Sequence, residues 1–99
     1  MAIFYETNGG ITILIPQVGH QFSYAELKEM VKGMVQIVPL PSGKSIVINE
    51  EGKLIGLPVN KAATAEWKNE YPIEKYPMNN DELIVGNALI ADDQELGNS

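Results

Sequence analysis

The segment Phe22-Ser23-Tyr24-Ala25-Glu26-Leu27 constrains this 99-residue chain more tightly than any other, because it specifies where a helix starts. Ser23 is a strong N-cap, and Glu26 three residues later completes a capping box. Phe22 sits before the cap and can pack on Leu27 as a hydrophobic staple. Tyr24, Leu27, Met30 or Val31, and Met34 then share one helical face, while Glu26, Lys28, Glu29 and Lys32 point away from it. Gly33 is the expected stop. The spacing predicts a helix over 24–32 whose apolar stripe must be covered by another layer.

Strand and turn signals surround that helix. Residues 2–6 and 11–15 read as two strands joined through Asn8-Gly9-Gly10, where Asn and Gly accept positive φ. Leu14 interrupts the simple alternation of Ile11, Ile13 and Ile15, so this strand is expected to be covered on both faces. Pro16 ends it. Val35-Gln36-Ile37-Val38 reads as a strand that Pro39 and Pro41 place at a sheet edge. Ser45-Ile46-Val47-Ile48-Asn49 returns beside it after the turn at Ser42-Gly43-Lys44. Glu50-Glu51-Gly52-Lys53 makes another turn, with Gly52 expected in the left-handed region, and Lys53-Leu54-Ile55 is expected to add a very short strand. Asn60 caps a second helix, 61–68, which offers Ala62, Ala63 and Trp67 for packing. Residues 69–81 carry Tyr71-Pro72 and Tyr76-Pro77 and read as a semi-rigid irregular insert. Residues 82–91 read as the last strand, with a bulge or close backbone approach at Gly86-Asn87. Residues 92–99 read as a frayed polar tail. The sum is a single α+β domain over 1–91, in the order β-β-α-β-β-α-β. Its sheet is mainly antiparallel, with one principal helix packed on a face.

Composition narrows the chemistry. A hydrophobic content of 44% supports a real core, although a domain of 99 residues has little stability in reserve and gains from a homodimer interface. The chain has no cysteine, which removes disulfides, thiolate zinc sites and cysteine nucleophiles. No apolar run has the length of a membrane span and the N-terminus lacks signal-peptide character, so a cytoplasmic protein without membrane contact is expected. The net charge is −6 and all seven basic residues are Lys. Without Arg or a Lys cluster, nucleic acid is not an expected partner.

The stretch from Asn49 to Ala65 carries a further signal. Its residues Asn49, Glu50, Glu51, Gly52 and Lys53, then Gly56, Leu57, Pro58, Asn60, Lys61, Ala63 and Thr64, together with Ile84-Val85-Gly86-Asn87-Ala88, form a recognisable pattern. In it the chain resembles a family encoded by phage, plasmid and bacterial genomes, known as domain of unknown function number 3846. The resemblance runs over about residues 11–91 and departs from the family pattern at 69–81. It implies a fold and a mobile-element setting, and it brings no catalytic residues.

Candidate sites follow from residue types. Trp67, Tyr71, Tyr76 and Met78 lie in the densest aromatic and proline stretch, and Trp and Tyr are favoured interface anchors. They are the candidate contact residues for a host or viral protein. The same residues can equally cover a core beneath a long loop. Asn49, Asn60, Lys61 and Asn87 lie near the ends of neighbouring elements and, if convergent, would offer amide and ammonium donors to a nucleotide or anion. Their simpler reading is structural, with Asn60 as a helix cap, Asn49 opening a turn and Asn87 serving a bulge. The lone His20 and Glu50 are the weakest candidates, as acid–base groups without a partner in sequence. No metal-ligand spacing, phosphate loop or nucleophile elbow occurs, so no metal, no cofactor and no enzyme activity are expected.

Overall fold

The computed structural model describes residues 2–16, 19, 21–70 and 83–97. Ala2–Tyr5 (β1) and Ile11–Leu14 (β2) form a hairpin in which Gly9 takes φ +95° and Glu6 N–H donates to Gly10 O. Tyr24–Val31 (α1) follows, then the hairpin Val35–Pro39 (β3) and Lys44–Asn49 (β4). Lys61–Glu70 (α2) precedes the last strand, Ala88–Asp92 (β5). All pairings are antiparallel, in the order β2-β1-β5-β4-β3. The last strand in the chain is therefore the central one.

The sheet has two buried faces. Ala2, Phe4, Val47, Leu89 and Ala91 face α1 through Phe22, Leu27 and Val31. Ile3, Tyr5, Ile46, Ala88 and Ile90 face α2 through Ala62, Ala63 and Trp67. The α+β class, the element order and the helix on one face agree with the sequence reading. The second helix adds a layer on the opposite face. It lies over β1, β5 and β4 and stops short of β2, so the expectation that residues 11–15 are covered on both faces is corrected. Leu14 packs against the α1 side, while Ile11 and Ile13 on the α2 side stay exposed.

Several local expectations change for identifiable reasons. Lys53-Leu54-Ile55 is a turn rather than a strand, closed by Ile55 N–H to Glu51 O at 3.0 Å and Leu57 N–H to Gly52 O at 2.9 Å. The strand predicted over 82–91 is interrupted. Val85 makes one isolated bridge to Val59, Gly86 turns at φ +77°, and the regular strand begins only at Ala88. The polar segment after 91 is not frayed throughout. Asp93–Leu96 form a 3-10 turn with Glu95 buried, and Glu95 O accepts from Phe22 N–H at 2.7 Å. That bond fixes the entry to α1. The helix itself ends one residue early, with Lys32 rather than Gly33 in the left-handed region at φ 60°.

Candidate functional site

The residues that carry the family pattern have architectural duties. Asn49 is buried, and its Nδ2 donates to Val31 O at 3.1 Å, capping the carbonyl end of α1 from a neighbouring turn. Its Oδ1 accepts from Glu51 N–H at 2.8 Å and shapes that turn. Gly33 is required by this contact, since a Cβ there would lie 2.6 Å from Asn49 Nδ2. Gly52 is likewise a packing glycine. It does not adopt the left-handed conformation expected of it, and a Cβ would come within 3.0 Å of Val85 Cγ2.

Asn60 is the most heavily bonded of these residues and only 1% exposed. Its Nδ2 donates to Tyr5 O at 2.9 Å and to Gly86 O at 3.0 Å, and its Oδ1 accepts from Ala63 N–H at 3.1 Å. Its own N–H donates to Ile84 O at 2.8 Å. One side chain thus caps α2 and satisfies carbonyls from the two segments beneath it. Thr64 adds a second tie that the sequence did not reveal: its Oγ1 donates to Asn60 O at 2.7 Å and accepts from Ile84 N–H at 2.9 Å. Nothing in the local sequence announces a partner 20 residues away.

Of the four ligand candidates, Asn87 Oδ1 accepts from Thr7 N–H at 3.1 Å, and Lys61 is exposed on the first turn of α2. The amides of Asn49, Asn60 and Asn87 are therefore all engaged in bonds within the fold. Asn49 borders one groove on the α2 side, and Asn87 borders two clefts beside α1. None of these three openings includes Asn60 or Lys61. Among the described residues no three His, Cys, Asp or Glu side chains group to hold a metal ion. Glu50 is exposed in its turn. His20, Tyr71, Tyr76 and Met78 lie outside the described residues.

Trp67, the remaining contact candidate, is half-buried on α2 and forms a wall of the α2-side groove, a space of about 240 Å³. Val38, Ile48, Leu54, Leu83, Ile84 and Val85 provide its other apolar walls, and Glu50 and Lys53 stand at its lip. Beside it stands a feature that sequence reasoning missed. The turn over 50–57 lifts Leu54 to 85% and Ile55 to 58% exposure. The turn is pinned by its own backbone bonds and by Gly52 against Val85, so it presents those side chains on a fixed loop. Their apolar type in a run otherwise built for turning was the available signal.

No helix among the described residues is long and apolar enough to cross a membrane. The family model described as Domain of unknown function (DUF3846) matches residues 7–99, and the chain belongs to that family. No curated protein and no solved structure matches it.

Proposed function

Starting from membership of a family without an assigned activity, we propose that this chain is a non-enzymatic accessory protein of a phage or related mobile element. It acts in the host cytoplasm by holding a host or viral protein. The observation that carries this reading is the fixed apolar projection of Leu54 and Ile55 beside the Trp67 groove. Apolar side chains held in water at the rim of an apolar recess are a recurrent mark of protein contact surfaces.

A small molecule fits this surface less well. At about 240 Å³ the groove is below the usual range of ligand pockets, roughly 300–1,000 Å³, and a small ligand inside it would leave Ile55 uncovered. A protein segment covers both, with an apolar side chain in the groove and its flanks across the turn. Glu50 and Glu51 on that turn and the overall charge of −6 favour a segment whose flanks are basic.

The test is capture from host lysate by immobilised protein, comparing the wild type with Leu54→Asp at several ionic strengths. We expect a specific protein that Leu54→Asp no longer retains and that salt weakens. Equal retention by Leu54→Asp would remove this surface from consideration. A thermal shift with a nucleotide or inorganic anion, abolished by Lys61→Ala, would instead establish the ligand-binding alternative.

A further inference from the structure

We propose that two copies of this chain join antiparallel through the edge of β2 that no other described strand covers, so that their sheets become one. The hydrogen-bond register defines that edge. Glu6 N–H bonds Gly10 O, and β1 and β2 pair Tyr5 with Ile11, Phe4 with Thr12 and Ile3 with Ile13. Bonded and non-bonded pairs alternate along an antiparallel ladder. Thr12 and Leu14 therefore turn their backbone groups toward β1, and Ile11 and Ile13 turn theirs outward, with Ile15 next in the same alternation.

The outward residues are thus all isoleucines, symmetric about Ile13. A two-fold pairing centred there sets Ile13 opposite its own copy and Ile11 opposite Ile15 of the second copy. Each is a bonded pair exchanging two N–H···O contacts. The side chains of these pairs meet on the α2 face, where Ile11, Ile13 and Ile15 are 60%, 64% and 74% exposed. Three isoleucines so exposed form a patch of about 300–400 Å², the size of the largest apolar patch on many monomers, which is often a contact site. β-Branched cross-strand pairs are the favourable kind for sheets.

Charge identifies a second copy as the occupant. Two chains that each carry −6 repel least where they meet through an uncharged stretch. Between Glu6 and Glu26 the chain has no Asp, Glu, Lys or Arg. A basic foreign partner would gain nothing from this stretch, whereas another copy of an acidic protein is repelled least there. The devices that normally protect an edge are also missing: β2 has neither charge nor proline within it. The opposite edge, β3, includes Pro39, which lacks the N–H that pairing needs.

Light scattering on the eluting protein tests this. The wild type should give twice the 10.9 kDa of one chain, and Ile13→Lys should give the single-chain mass with an unchanged circular dichroism spectrum. Leu54→Asp, on the groove side, should remain a dimer. A single-chain mass for the wild type at high micromolar concentration overturns the proposal. So does a dimer that persists in Ile13→Lys, or a monomeric wild type in which Ile13→Lys abolishes capture of a foreign protein.

Discussion

The two helices start with the same type of device but depend on different amounts of the molecule. The Ser23 cap of α1 is exposed and local: Ser23 Oγ accepts from Glu26 N–H at 3.1 Å, and Glu26 Oε1 accepts from Ser23 N–H at 3.0 Å. The Asn60 cap of α2 is buried and joins the helix to Tyr5 and Gly86. The first helix can be specified by a few adjacent residues. The second is held by the same tertiary bonds that close the fold, consistent with its alanine-rich, weakly amphipathic sequence. A helix that packs through small side chains leaves its sheet face incompletely covered, and both exposed apolar regions, Ile11/Ile13 and the Trp67 groove, lie on that face.

The largest predicted difference between the helices is in their caps. Asn60→Ala orphans two buried carbonyls and a helix N–H, and should cost about 3 kcal/mol in urea unfolding, whereas Ser23→Ala should cost about 1 kcal/mol. Equal losses would break the contrast. Gly86→Ala comes next. The residue sits at φ +77° and an added Cβ would meet Leu57 Cδ1 at 2.7 Å, so a loss of about 2 kcal/mol is expected. A neutral result would show that Leu57 can move aside at this turn.

A smaller effect of opposite sign is expected at the end of α1. Lys32→Gly relieves a left-handed lysine and should raise stability by about 0.5–1 kcal/mol, readable as a higher melting temperature. The smallest effect concerns alkaline pH. Burial, and secondarily the charge of Glu66, raise the Tyr5 hydroxyl pKa above 10.0. The stability this contributes is fully present below pH 10.0 and is lost as pH rises through the folded-state pKa. Urea midpoints should therefore hold to about pH 10 and then fall, less steeply in Glu66→Gln.

Legibility in the sequence followed the range of the interactions. The capping box of α1, the Asn8-Gly9-Gly10 turn and the proline-marked edge at β3 rest on neighbours within a few residues, and all appear in the structure. What the sequence hid depends on distant partners. Gly33 looks like a helix stop, yet its lack of a side chain makes room for Asn49. Gly52 looks like a left-handed turn residue, yet it accommodates Val85. The position of β5 between β1 and β4 has no local signature, although Ala88, Leu89, Ile90 and Ala91 form the apolar run of a strand buried on both faces. The candidate site was legible at Trp67 and, at its border, in Asn49 and Glu50. Leu54 read as part of a strand because its type favours one, and its exposure depends on how the turn is pinned from below.

The central position of β5 also governs when the protein can exist as a folded unit. During synthesis the hairpins β1–β2 and β3–β4 emerge early, but no strand lies between them until residues 88–92 leave the ribosome. Each hairpin on its own is marginal in water. The transition that joins them requires contacts between β1 and β5 across most of the chain, and such distant closure slows folding and makes it all-or-none. A nascent chain stopped before Ala88 would lack the strand that joins the two halves. Its two hairpins would each keep an inner edge unpaired, so the sheet is completed only by its last strand.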